Sequence, residues 1–138
     1  MQQTIKDSFS VSGIGLHSGR RAVITVKPAL EDTGIWFKRL DVSQCQSMVH
    51  AHYSNVAGSS LCTTIENTYG TKVSTVEHLM AAFAGTGIHN AIVEIDGPEV
   101  PILDGSSLEF VLGKLLSILE FGFGKSVLAG LAFLDFLV

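Results

Sequence analysis

The sequence predicts a single domain that mixes short β-strands with helix. Alternating apolar and polar residues mark a series of short strands, at 8–11, 22–26, 34–40, 61–66 and 91–95. Between the last two lies Ser74 to Gly85, where Val76, Leu79, Met80 and Phe83 fall at i, i+3, i+4 and i+7 of an amphipathic helix. A chain of 138 residues is long enough to bury a real core around these elements.

Composition removes several classes of function. A net charge of −4 provides no clustered excess of Lys and Arg for a nucleic-acid backbone, so nucleic acid is not an expected partner. Cys45 and Cys62 have neither the number nor the spacing of a disulfide framework or a Cys-x-x-Cys zinc site, and reduced thiols in the cytoplasm are expected. The start, Met1 to Asp7, lacks the basic and apolar regions of a signal peptide. No stretch reaches the roughly 18 to 20 uninterrupted apolar residues of a membrane span.

In chain order, Ser8–Val11 and Ala22–Val26 read as two strands joined by a glycine-bearing loop from Ser12 to Arg20. Gly13 and Gly15 are not a Rossmann phosphate loop, because no third glycine opens a helix after them. His17 stands in that loop, either as a solvated residue or as a binding one, since loops on rigid strands are where binding residues concentrate. A turn at 28–34 leads into the strand 34–40, where Trp36 is expected in the core. Residues 41–56 are weakly patterned. An extended His50-Ala51-His52 would put two imidazoles on one face as a metal pair, without a third ligand nearby.

The strand at 61–66 is followed by the turn 67–71, of the kind that closes a hairpin, and Lys72 and Val73 are read as the entry to the helix. There, Ser74 is the expected N-cap and Glu77, three residues on, completes a capping box, with Gly85 and Gly87 as the stop. After the strand 91–95, a proline-bracketed loop from Gly97 to Ser107 suggests a rigid wall beside a site. Ser106 or Ser107 can cap a second helix with Glu109 in its first turn, amphipathic to Leu119. From about Leu112 the composition changes, with only Lys114, Glu120, Lys125 and Asp135 charged. Beyond Glu120 apolar residues surround the chain on every side, which predicts burial or self-association through 120–138.

Glu77-His78 is the one place where a carboxylate and an imidazole sit side by side at a helix start. Taken alone, the pair has two readings: a helix cap beside an ordinary histidine, or a general base beside a metal ligand. The two-histidine helical zinc motif His-Glu-x-x-His is absent.

Read together, Gly13-Ile14-Gly15-Leu16-His17-Ser18-Gly19, Leu61-Cys62-Thr63-Thr64, Ser74-Thr75-Val76-Glu77-His78-Leu79, Gly85-Thr86-Gly87-Ile88-His89-Asn90 and Pro101-Ile102-Leu103-Asp104-Gly105-Ser106 resemble a known domain. It is the N-terminal domain of UDP-3-O-acyl-N-acetylglucosamine deacetylase, the zinc amidase of lipid A biosynthesis. Five motifs in the same order make the resemblance specific, over about residues 3–111. The fold it implies is α+β, a mostly antiparallel sheet with a layer of helices packed on one face. It implies that Glu77 is the general base, that His78 is one ligand of a catalytic Zn²⁺, and that Leu61, Cys62, Thr63 and His17 contact the substrate. The implied reaction is release of acetate from UDP-3-O-acyl-N-acetylglucosamine to leave the free amine.

The resemblance also marks a departure. In that family two further zinc ligands, a His and an Asp four apart, come from a second domain, and none of the five histidines here has Asp four positions later. A catalytic zinc normally takes three protein ligands and a water, so His78 supplies one of three. Residues 1–111 therefore read as the deacetylase N-terminal domain, and 112–138 as an apolar segment outside the family pattern, as a lost reading frame would produce. Two other readings stand beside the enzymatic one: a truncated, non-catalytic remnant, and a module that keeps a sugar-nucleotide surface without chemistry.

Overall fold

In a computed structural model of the protein, residues 2–58 and 61–103 are described. The expected helix after Ser106, the apolar segment and its self-association lie outside them. Besides two single-turn 3₁₀ helices at Gln44–Gln46 and Tyr53–Asn55, the described elements are eight strands and one α-helix: β1 (Phe9–Ile14), β2 (Arg21–Pro28), β3 (Ile35–Arg39), β4 (Met48–His50), β5 (Val56–Ala57), β6 (Thr64–Glu66), β7 (Lys72–Ser74), α1 (Glu77–Thr86) and β8 (Ala91–Ile95). The architecture is α+β, as expected, and two sheets carry it.

The larger sheet runs β1-β2-β8-β3-β4, and only its β3–β8 pair is parallel. Its register places Ile24 opposite Ile95 and Val26 opposite Val93, and on the other side of β8 it pairs Val93 with Phe37 and Ala91 with Ile35. Because side chains alternate along a strand, this register stacks one apolar row across three strands. Ile24, Val26, Phe37, Ala91, Val93 and Ile95 are fully buried in that row, and the equally buried Val49 of β4, paired with Phe37, extends it at one edge. Leu79, Ala82 and Phe83 of α1 belong to the same core. The helical face read from the spacing is therefore the buried one, with Met80 at its partly buried edge.

The smaller sheet, β5-β6-β7, is antiparallel throughout, and Asn67–Thr71 closes its β6–β7 hairpin as expected. Asn67 Oδ1 accepts from the amides of Tyr69 and Thr71, which makes the turn an Asx-type one. Lys72 and Val73, expected to enter the helix, belong instead to β7, because pairing with Glu66 and Ile65 satisfies their backbone. The first hairpin also differs from expectation, since β1 extends through Gly13 and Ile14 and leaves only the segment from Gly15 to Arg20 as loop. The expected strand at 61–66 shortens to Thr64–Glu66.

The helix ends where glycine permits it. Gly87 adopts φ +74°, and Ile88 donates to the Phe83 carbonyl across the last turn, whereas Gly85 lies inside the helix. Its start departs from the expected capping box. Ser74 is the last residue of β7, Val76 takes the N-cap position, and no side chain caps the first turn. Ser74 cannot cap because its own amide and carbonyl are engaged by Pro98 and Val100 in a second strand-like contact.

Trp36 and His50 also depart from expectation. Trp36 faces away from the core row and stacks on His50, directly opposite in the register, with ring centroids 4.3 Å apart. His50 stacks in turn on His52 at 5.5 Å, so the two imidazoles form part of an aromatic ladder. No group of three potential metal ligands is present there or elsewhere among the described residues.

Phe83, only 1 % exposed, joins the helix to the sheet. Phe83→Ala is expected to destabilise the fold by about 3 to 5 kcal/mol through lost burial and a residual cavity, read as a lowered urea midpoint at unchanged slope.

Candidate functional site

Four chain segments meet at the N-terminus of α1: the β1–β2 loop, the strand entrance at 61–63, the β7–α1 junction and the proline-bracketed loop after β8. Backbone pairing holds the last of these in place. Ser74 donates to the Pro98 carbonyl (2.8 Å), Val100 donates to Ser74 (3.0 Å), and Ile102 donates to Ile14 (2.9 Å). The described part of the proline-bracketed loop is thus bonded to β7 and β1, and one of its residues carries a buried charge.

That residue is Glu99, which carries a buried carboxylate with only 4 % of the side chain exposed. Oε2 accepts from the Ser18 amide at 2.7 Å, and Oε1 accepts from the His17 amide at 2.8 Å. Thr75 Oγ1 donates to Oε1 at 3.1 Å, and the His17 ring nitrogen Nδ1 lies 3.3 Å from the same oxygen. Burial alone would push the Glu99 carboxyl up. The amides of His17 and Ser18 and the hydroxyls of Ser18 and Thr75 outweigh it and hold the group below the usual value of 4.5. Gly15 makes this close approach possible, since a Cβ there would lie 2.8 Å from Glu99 Oε2.

Thr75 adopts φ +59°, a left-handed conformation that a β-branched residue takes only when its surroundings hold it there. It is 2 % exposed and tied to Glu99 through its hydroxyl. The left-handed residue breaks β7 and lets α1 start two residues later, at Glu77. Sequence reasoning passed over both Thr75 and Glu99. The available signal was Glu99 itself, a charged residue between two prolines in a loop already read as rigid.

Glu77 does not complete a capping box. Its Oε2 accepts instead from the Thr63 amide at 3.2 Å, while Val76 donates back to the Thr63 carbonyl at 3.3 Å. Thr63 is thus held on both sides by the helix start, and an acidic side chain in the first turn suits the positive end of the helix. His78 follows, half-buried. Adjacent helical residues do not face one another, so the carboxylate and the imidazole fan out around the start of α1. Cys62 Sγ lies 3.7 Å from Thr64 Oγ1, and Leu61 is 77 % exposed.

The contacts link His17 to Glu99, Glu99 to Thr75, and Glu77 to Thr63. Four of the six expected site residues, His17, Thr63, Glu77 and His78, therefore lie on this bonded frame or directly beside it, and Leu61 and Cys62 precede Thr63 in the chain. Imidazole is a fitting zinc donor, but no three His, Cys, Asp or Glu side chains converge on a metal position among the described residues. His78 is one donor, and the described residues do not complete a set around it.

Comparison with known proteins bears on the same segments. Residues 2–117 match the family model described as LpxC, UDP-3-O-acyl N-acetylglycosamine deacetylase. The chain belongs to this family. Among its relatives, the UDP-3-O-acyl-N-acetylglucosamine deacetylase of Vibrio cholerae is 47% identical over 110 residues, which cover 80% of this chain and 36% of the relative. The enzyme of the same name from Haemophilus influenzae is 44% identical over the same span. The chain thus spans about a third of the length of the curated deacetylases it matches.

Glu99 predicts an acid dependence of stability. A carboxyl whose folded-state pKa is lowered contributes stability that is present above its unfolded value and lost as pH falls through the folded one. Stability is expected to decline below about pH 4.5. Glu99→Gln turns an amide NH₂ toward backbone donors, at a cost of about 1 to 3 kcal/mol at neutral pH. The gap to wild type should narrow as pH falls, measured by urea denaturation along a pH series.

Proposed function

We propose that this domain supplies part of the site of a deacetylase acting in lipid A biosynthesis, one that removes acetate from UDP-3-O-acyl-N-acetylglucosamine and leaves the free amine. The observation that carries the reading is the start of α1. Glu77 there has one carboxylate oxygen engaged by the Thr63 amide, and His78 stands beside it, within a chain of deacetylase family membership.

In this reading Glu77 is the general base. Thr63 holds Oε2, and Oε1 remains to take a proton from the attacking water. His78 is a zinc ligand, and its further partners come from outside the described residues. Bound zinc would polarise the acetamide carbonyl and lower the pKa of its water toward about 7. Leu61, Cys62, Thr63 and His17 contact the substrate, with the exposed Leu61 side chain toward its apolar part. The reduced thiols expected of Cys45 and Cys62 suit a cytoplasmic site. Among the described residues no helix is long and apolar enough to cross a membrane.

The structure sharpens the test of Glu77. A glutamine at this position keeps an oxygen for the Thr63 amide but cannot take a proton, so the fold is retained and the chemistry is lost. The assay is acetate release by a chimera in which residues 2–103 replace the matching third of the Vibrio cholerae relative. The parent chimera is expected to turn over, and Glu77→Gln to lose about 10² to 10⁴ in rate. Near-normal turnover of the variant would refute the assignment.

Zinc binding by the 138-residue chain itself should be weak, because one imidazole of the expected three ligands does not hold the ion tightly. Titration calorimetry is the measurement. Tight stoichiometric binding abolished by His78→Ala would point to donors elsewhere in this chain.

A further inference from the structure

The environment of His17 has the form of a carboxylate–imidazole pair built into the backbone. Glu99 Oε1 receives the His17 amide at 2.8 Å and faces the ring nitrogen Nδ1 of the same residue at 3.3 Å. A carboxylate held in its charged form can only accept, so the ring nitrogen facing it must carry a proton. Thr75 Oγ1 lies 3.4 Å from the same Nδ1, but it donates to Glu99 and so leaves the ring's N–H directed at the carboxylate. The second nitrogen, Nε2, lies across the ring from this contact, on a side chain that is one-third exposed.

We propose that Glu99 is a positioning residue for His17: it fixes the imidazole as the Nδ1–H tautomer and presents Nε2 outward as a hydrogen-bond acceptor for a hydroxyl or amide N–H of a polar substrate. The frame around the pair is rigid enough for this task. Its loop is bonded to Ser74 on both sides of Glu99, the glycine at position 15 lets the His17 loop lie against the carboxylate, and Thr75 closes the remaining side. Fixing a tautomer through the other ring nitrogen is the established way in which a carboxylate sets the role of a histidine. A purely structural Glu99 would need only the two backbone amides of His17 and Ser18 and would leave the ring free to choose its tautomer.

This inference rests on the deacetylase reading only for the identity of what Nε2 meets. The pair itself can be tested in the chain alone, so failure of either leaves the other standing.

The experiment is long-range ¹⁵N–¹H correlation of the histidine rings in the 138-residue protein, in mildly alkaline buffer where a neutral ring carries one N–H. His17 is assigned through loss of its signals in His17→Gln. Wild type is expected to show a protonated-type shift at Nδ1 and an unprotonated-type shift at Nε2. In Glu99→Gln the pattern should move toward the Nε2–H form, whereas Glu94→Gln, a sheet carboxylate paired with Lys27, should leave it unchanged. An Nε2–H ring in wild type overturns the proposal without recourse to any variant. A folded Glu99→Gln protein with an unaltered His17 signature overturns it as well.

Discussion

A buried carboxylate between two prolines is the constraint on which the site depends. Removing a charge from water is costly unless donors replace the lost hydration, and Glu99 is surrounded by them: two backbone amides, a threonine hydroxyl and an imidazole. The donors come from two segments, the β1–β2 loop and the β7–α1 junction, that are distant from Glu99 in the chain. Satisfying the charge therefore fixes the glycine loop, the β7–α1 junction and the loop after β8 relative to one another. The left-handed Thr75 is held as part of the same arrangement, and the helix start follows from it.

Below this polar frame lies an ordinary apolar core, and the two are joined through α1. Its buried face, with Leu79 and Phe83, rests on the row shared by β2, β3 and β8, while its first turn carries Glu77 and His78 to the edge of that core. Position along the helix axis is thus set by packing, and direction at its start by hydrogen bonding. The N-terminal segment is stapled to the far end of the helix, where Gln3 accepts from the amides of His89 and Asn90. His89, part of one family-like motif, is accounted for by that staple, since its Nδ1 accepts the Gln3 amide.

The family match covers residues 2–117 as one span, and within that span the segments that meet at the helix start come from well-separated parts of the chain. Gly15 and His17, Thr63, Glu77 and His78, and Glu99 are distant in the chain and linked through a few bonds in space. The aromatic ladder of Trp36, His50 and His52 lies apart from this frame, on β3 and β4 and the segment just after them.

Much of this was legible from the sequence by itself. Period-two runs located the strands around 22–26, 34–40 and 91–95, the 3.6-residue spacing located α1 and its buried face, and Gly87 marked the helix end. These succeed because periodicity and glycine conformation are local properties. Ser74, Thr75 and Glu99 were decided only by tertiary structure. A capping box is a local motif too, but the pairing of Ser74 with the loop after β8 competes for the same backbone groups and wins, because it satisfies both the amide and the carbonyl at once. The left-handed turn at Thr75 and the burial of Glu99 have no local signature at all. Each depends on hydrogen-bond partners 24 to 82 residues away, and only the folded chain brings them together.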